Sequence, residues 1–376
     1  MSVEHFDRTG AKKALEQFAI DGSVKEIRPY GNGHINDTFL AVFQSGDGEK
    51  RYILQRMNHN IFKNPPLLME NVVGVTDYLR KAILAQGGDP DRETLNVVRT
   101  LEGKSYYEDQ GHSFWRVFLF VEGTLCLEKV ESPKDFYNGG AAFGNFQRML
   151  AEYPAGELHE TIPNFHHTPS RFQDFRRALE ADRAGRAALV RPEIEFALSR
   201  EEEISVLTDL LKKGELPLRV THNDTKLNNI LFDRATGRAL CVIDLDTVMP
   251  GLSLYDFGDS IRFGASTGAE DERDLSRIEL DLELFEAFTE GFLKGCGGKL
   301  TRREIEMFPM GAKLMTYECG IRFLGDFLEG DVYFKVHREN HNLDRARTQF
   351  KLVADMEKKW DQMVSIVEKH RAGICG

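Results

Sequence analysis

The sequence predicts an α+β protein of two lobes, a small antiparallel sheet carrying one helix followed by a larger, mainly helical lobe. Three observations lead there. Short apolar runs punctuated by glycine turns fill the opening part of the chain, and a single helical stripe interrupts them. Helical periodicity dominates from Gly123 onward, apart from an island over 218–263 where short apolar runs alternate with polar loops. A length of 376 residues exceeds what one core usually organises, and the expected lobes are 1–122 and 123–376.

Ala11, Ala14, Leu15, Phe18 and Ala19 recur at helical spacing and predict an opening amphipathic helix. Strands are expected over 24–30, 37–43 and 51–55, with Gly31-Asn32-Gly33 and Gly46-Asp47-Gly48 in the turns. Pro65-Pro66 then opens a helix running through Gln86, with Leu68, Val72, Val75, Leu79 and Ile83 as its stripe. Strands return over 95–100, 105–108 and 114–121, the last carrying Arg116 inside its apolar run. Helices are expected over 136–150, 171–188 and 280–292, and one long helix over 345–369.

Composition narrows the function classes. With 41% hydrophobic and 29% charged residues, the chain reads as an ordinary soluble globular enzyme. No apolar stretch is long enough to cross a bilayer, and Met1 to Arg8 lack a signal-peptide core, so the expected location is cytoplasmic, without a membrane partner. The formal net charge of −11 and the absence of a Lys/Arg block exclude a nucleic-acid surface, whereas an anion such as ATP needs only a local pocket. The five cysteines are scattered and read as reduced thiols without chemistry. Nothing in the sequence speaks to oligomeric state.

The island contains Thr221-His222-Asn223-Asp224-Thr225-Lys226-Leu227-Asn228-Asn229, which fits His-x-Asp-x-Lys-x-x-Asn, the spacing of a kinase catalytic loop. Asp224 suits the catalytic base that takes the proton of an attacking hydroxyl, and Lys226 suits charge neutralisation on the transferring oxygens. Asn229 offers a hard amide oxygen to Mg²⁺, while His222 is expected to pack and orient the loop. Downstream, the apolar run Cys241-Val242-Ile243 delivers Asp244, the expected second metal ligand, and Asp246 to its polar end. Asp256-Phe257-Gly258 lies further on and is expected to start a helix or brace a loop. Between the first strands, Gly31, Gly33 and Asn36 occupy the place of a phosphate-covering loop, where glycines let backbone N–H groups approach phosphates. A simple hairpin turn would read the same way.

These segments carry a resemblance. His222 to Asn229 followed by Ile243-Asp244-Leu245-Asp246 resembles the aminoglycoside-phosphotransferase and choline-kinase superfamily, which has a protein-kinase-like fold. Tyr30 to Asn36, Tyr52 to Gln55, Arg219 to Leu231, Met249-Pro250-Gly251, Asp256 to Thr267 and Glu318 to Gly320 with Arg322-Phe323 resemble the bacterial N-acetylhexosamine 1-kinases within it. The resemblance implies ATP- and Mg²⁺-dependent phosphorylation of the anomeric hydroxyl of N-acetylglucosamine or N-acetylgalactosamine. It also implies that the backbone from Phe120 to Glu122 receives adenine. Where protein kinases have a lysine on the third strand, this chain reads Leu54-Gln55-Arg56, so Arg56, or Gln55 without charge, is expected to meet phosphate. Asn223, Asp246, Glu318, Arg322 and Phe323 are the candidates for the sugar, although Glu318 and Arg322 would equally make an internal pair. His166-His167 has no third ligand in reach and is expected in a loop or helix cap. The rival acceptors are choline, homoserine and an aminoglycoside, against which Arg322 leans towards a neutral, oxygen-rich molecule.

Overall fold

The structure, a computed structural model, describes residues 8–31, 35–46 and 48–373. In chain order the opening elements are α1 (Arg8–Leu15), β1 (Ser23–Pro29), β2 (Asp37–Ser45), β3 (Gly48–Met57), α2 (Pro65–Ala85), α3 (Pro90–Glu93), β4 (Val97–Val98), β5 (Tyr107–Glu108), β6 (Phe114–Leu119) and β7 (Thr124–Leu125). Next come α4 (Pro133–Met149), α5 (Thr168–Ala181), α6 (Arg191–Leu198), α7 (Val206–Lys212), β8 (Arg219–Thr221), β9 (Ile230–Asp233), β10 (Ala239–Val242) and β11 (Met249–Gly251). The remainder is helical: α8 (Ser253–Gly264), α9 (Leu282–Cys296), α10 (Arg302–Glu306), α11 (Phe308–Glu329), α12 (His341–Lys358) and α13 (Trp360–Ala372). The architecture is the expected α+β one.

The chain divides into two units. The first comprises the described residues as far as Leu125 with Glu157–Ile162 and Leu231–Val248, and the second Cys126–Gly156, Pro163–Ile230 and Met249 onward. The segment bearing Asp244 and Asp246 thus belongs to the first unit, whereas the sequence reading had it in 123–376. Strand pairing is the reason: β9 binds β7 on one side and β10 on the other, a long-range contact with no local signature.

In the first unit an antiparallel sheet runs β1-β2-β3-β6-β4, with β5 on the end of β6. Side-chain alternation gives it two faces. Phe39, Ala41, Phe43, Tyr52, Leu54, Trp115 and Val117 meet Ala11, Ala14 and Leu15 of α1 and Phe18 in one core. Thr38, Gln55 and Arg116 are cross-strand neighbours and line the other face. α2 begins where Asn64 accepts from the Leu67 N–H ahead of Pro65-Pro66, and it buries Leu68, Met69, Val72, Val75 and Leu79.

In the second unit α11 is buried along most of its length, as a helix apolar on nearly every side must be. Its Tyr317, Ile321, Leu324 and Phe327 pack with Phe172 and Phe175 of α5 and Val353 of α12. α4 and α9 approach closely through glycines: a Cβ on Gly291 would lie 2.1 Å from the Tyr137 carbonyl oxygen, and one on Gly144 2.2 Å from that of Phe292. The helix expected over 345–369 is two, α12 packing on α11 and α13 on α9, with the break at Lys359. Because each half buries its stripe against a different neighbour, the periodicity carries no mark of the break. Among the described residues no helix is long and apolar enough to cross a membrane.

Candidate active site

β8 ends in the loop that carries Asp224, and α8 holds that loop from behind. The Asp256 carboxylate accepts from the His222 N–H (3.0 Å), the Asn223 N–H (2.8 Å) and Gln147 Nε2 (2.6 Å). Burial nevertheless pushes the Asp256 carboxyl above its usual range. Asp259 accepts from the Thr225 N–H at 3.0 Å. His222 is buried against Phe143 and Phe146, and its Nδ1 accepts from the Asp224 N–H at 3.3 Å. Asn223 turns the chain through a left-handed φ of 65°, a conformation that neighbours must sustain in a non-glycine residue.

Asp224, Lys226 and Asn229 come together in the second unit. Lys226 Nζ lies 2.7 Å from Asp224 Oδ1, and Asn229 Nδ2 donates to Asp224 Oδ2 (3.1 Å) and to its backbone oxygen (2.8 Å). Burial alone would raise the Asp224 carboxyl, but the Lys226 ammonium overrides it, aided by His222 and Asn229, and holds the group below the usual carboxylate range. The Asp224 charge in turn raises Lys226 above the ordinary lysine range, against the effect of burial. The Asp224 side chain keeps 27% exposure, enough to meet an incoming hydroxyl. Because Asn229 turns its amide hydrogens towards Asp224, its Oδ1 remains as the end a hard cation can use.

Asp244 and Asp246 stand in the first unit, on the turn after β10. Asp244 is exposed and left-handed, with φ 59° and ψ 57°. Asp246 is buried: Oδ2 accepts from Asn36 Nδ2 at 2.7 Å, and Arg116 Nη1 lies 2.5 Å from Oδ1, an ion pair in which no N–H is aligned as a hydrogen bond. Expected to face an acceptor hydroxyl, Asp246 is instead engaged by the sheet. Arg56, expected at phosphate, pairs with Asp37 (2.8 Å from Nε) and lies over Trp115. Gln55 gives its amide hydrogen to Thr38 Oγ1 and accepts from Arg116 Nε and Nη2 at 2.9 and 2.8 Å. Gly31 is left-handed with open space around it, and Gly33 lies outside the described residues.

A pocket of about 270 Å³ in the first unit is lined by Arg28, Tyr30, Leu40, Arg51, Phe120 and Arg234 among others. Tyr30 meets Phe120 edge-on at 5.8 Å, and Arg51 caps the Phe120 ring at 4.5 Å while its Nε donates to Glu122 Oε1 at 2.7 Å. The Phe120 N–H is bonded to the Arg51 carbonyl, so of the expected adenine contacts the Phe120 carbonyl and the Glu122 N–H remain.

α11 carries Glu318, Arg322 and Phe323. Buried Glu318 accepts from Thr168 Oγ1 at 2.8 Å and lies 2.9 Å from His166 Nδ1, whose Nε2 donates to the Asn223 carbonyl at 3.1 Å. His167 caps α5, so the two adjacent histidines part company: one is a cap, the other joins Glu318 to the catalytic loop. Arg322 lies over the Phe165 and Phe334 rings and, among the described residues, has no carboxylate partner. Phe323 is buried against Phe334. Burial and the Arg322 charge lower the nearby Arg171.

The sequence profile of the phosphotransferase enzyme family matches residues 26–291. The chain belongs to this family. Solved structures share its fold over nearly the whole length. A microcompartment-associated aminopropanol kinase is 17% identical, covering 95% of this chain and 98% of its own, with a TM-score of 0.59. An aminoglycoside phosphotransferase from Alicyclobacillus acidocaldarius is 14% identical, covering 96% of each chain, with a TM-score of 0.60. A spectinomycin phosphotransferase, solved with ADP and spectinomycin, is 13% identical, covering 92% of this chain and 95% of its own, with a TM-score of 0.54. At such identities the likeness concerns the protein-kinase-like fold.

The phosphotransferase match includes Asp224, Lys226, Asn229 and Asp244 but stops short of α11, so Glu318 and Arg322 belong to the part of the chain outside the shared profile. Sequence reasoning missed Arg116, Asn71 and His166. Arg116 had one signal, a lone charge inside an apolar strand, which must find a partner when buried. Asn71 and His166 had none, because their partners lie far along the chain.

Proposed function

We propose that the protein is an ATP- and Mg²⁺-dependent kinase that phosphorylates the anomeric hydroxyl of an N-acetylhexosamine, N-acetylglucosamine or N-acetylgalactosamine, to give the sugar 1-phosphate. The observation that carries the phosphoryl-transfer part is the Asp224–Lys226–Asn229 cluster, with Lys226 2.7 Å from the Asp224 carboxylate. Ionised Asp224 accepts a hydrogen bond from the sugar hydroxyl, orienting it in line with the γ-phosphorus. Because Lys226 weakens Asp224 as a base, the proton crosses late, once the new O–P bond has acidified the hydroxyl and the bond to the ADP oxygen is breaking. Lys226 then neutralises the transferring oxygens. Asn229 Oδ1 and the Asp244 carboxylate fit Mg²⁺ as hard oxygen donors; the ion, when bound, offsets phosphate charge.

Gly31 covers the phosphates, the Asn36 side chain being committed to Asp246 and Asn58, and adenine takes the Phe120 carbonyl and the Glu122 N–H beside the pocket capped by Arg51. Both Arg56 and Gln55 are engaged within the sheet, so neither is assigned to phosphate. Arg322 serves the sugar oxygens, while Asn223, Asp246, Glu318 and Phe323 are left out because all four are buried and engaged elsewhere. The fold-level likeness to an aminopropanol kinase and aminoglycoside phosphotransferases favours a second reading, the same chemistry on choline, homoserine or an aminoglycoside. Against a cationic acceptor stand Arg322 and Arg171.

ADP release measured over an acceptor panel separates the two. Turnover with N-acetylhexosamines is expected, and turnover with choline but none with these sugars overturns the substrate assignment. Asp224→Asn is expected to lower kcat by about 10²–10⁴-fold with ATP binding retained.

A further inference from the structure

We propose that Arg116 is the positioning residue of the metal-bearing turn, clasping Asp246 from inside the sheet and so setting where Asp244 presents its carboxylate. This rests on the reading of Asp244 as a magnesium ligand. A guanidinium with 2% side-chain exposure is costly to bury and persists only where its charge is answered. Two of its nitrogens donate to Gln55 Oε1, directly opposite on β3, and Gln55 in turn holds Thr38 on β2. The row Thr38–Gln55–Arg116 crosses three strands and ends on Asp246.

The second Asp246 oxygen is held by Asn36, whose own Oδ1 accepts from the Asn58 N–H at 3.0 Å. Further along the turn, Asn71 on α2 donates to the Val248 carbonyl at 3.0 Å and clasps the backbone of His159 from both sides. Asp244 therefore adopts its left-handed conformation just ahead of two fixed points, at Asp246 and Val248. On the third strand Arg56 is paired with Asp37 and Gln55 is uncharged, and the buried cation stands opposite Gln55, one strand over. Its Nη1 faces Asp246, so Arg116 acts on the metal through the turn.

The test uses Mn²⁺ titrated by electron paramagnetic resonance into the full-length protein with a non-hydrolysable ATP analogue, alongside analogue binding without metal and thermal unfolding. Wild type should bind Mn²⁺ and Asp244→Ala should not. In Arg116→Met/Asp246→Leu, which removes both buried charges, the protein should stay folded with only a modest fall in Tm, because the charge pair goes as a whole while Gln55 and Asn36 each lose a partner. Its Mn²⁺ affinity should fall about 10–100-fold, the usual cost of losing a residue that orients a metal ligand, while metal-free analogue binding is retained. Arg116→Lys, which keeps the charge without the fork, should fall between and decides the matter if the double variant does not fold. Wild-type Mn²⁺ affinity in the double variant, or in Arg116→Lys should that variant have to decide, overturns the proposal. So does a loss of metal-free binding that matches the loss of Mn²⁺. Absence of Mn²⁺ binding in the wild type would instead strike the functional reading beneath it.

Discussion

Replacing Gly291 by alanine should unfold the α4–α9 contact from within. An added Cβ would lie 2.1 Å from the Tyr137 carbonyl oxygen and 3.1 Å from the Ala141 nitrogen, both backbone atoms that cannot rotate aside. Carbon and oxygen rest comfortably at about 3.3 Å, so the two backbones must part by roughly 1 Å. Overpacking of this kind costs about 1–3 kcal/mol, and alanine's helix preference returns about 1 kcal/mol. Parting the helices also loosens the contacts at Gly140, Gly144 and Gly295, which places the net loss near 2 kcal/mol. Gly325→Ala on α11 is the control, since its Cβ meets nothing nearer than 3.7 Å and only helix preference acts, stabilising by about 0.5–1 kcal/mol. Urea unfolding of both variants reads the difference as midpoint shifts at unchanged slope. A Gly291→Ala protein as stable as wild type, or a Gly325→Ala protein less stable than it, would refute the packing argument.

Other perturbations probe the catalytic loop and its supports. Asp256→Asn turns an amide donor towards a backbone N–H at His222 or Asn223 and should cost about 1–3 kcal/mol in urea unfolding, together with a fall in kcat. Glu304 grips Arg219 at 2.5 and 2.7 Å and also accepts from Ser253, so Glu304→Ala should cost about 3–5 kcal/mol, and a loss below about 1 kcal/mol would show the pair to be ornamental. The Asp224 carboxyl titrates below the usual range, so its contribution to stability is present above the unfolded value and lost as pH falls through the folded one. Lowering pH from about 8 to 5 should thus leave it ionised, with no acidic limb from Asp224 in kcat/KM. Lys226→Met removes the main lowering influence and should move that limb upward; a limb that stays in place would deny Lys226 its hold on the base.

Local chemistry explains what the sequence made legible. Asp224, Lys226 and Asn229 sit within one loop and bond to one another, so spacing alone forecasts their cluster. The first three strands were legible too, because alternating apolar residues and glycine turns mark their hairpins, whereas the insertion of β6 between β3 and β4 has no local sign. Residues whose partners are distant escaped. Asp246 reads as an open carboxylate until Arg116, far upstream, is seen beside it. Arg56 looked available because the cross-strand register that pairs it with Asp37 is invisible in one dimension. His166 joined its neighbour in a bland reading because Glu318 and the Asn223 carbonyl reach it only in the folded unit.

The discontinuity of the first unit bears on how the molecule is made. A ribosome releases β1 to β6 early, yet β9, which pairs with β7, and the segment after β10 that carries Asp246 to Arg116 emerge only after α4 to α7 have been synthesised. Throughout that interval the nascent sheet holds a guanidinium without its carboxylate, and β7 lacks its β9 partner and stays open to mispairing. A fragment cut after Glu122 is accordingly an unfinished half-product, and the shortest stretch able to complete this unit reaches to Val248.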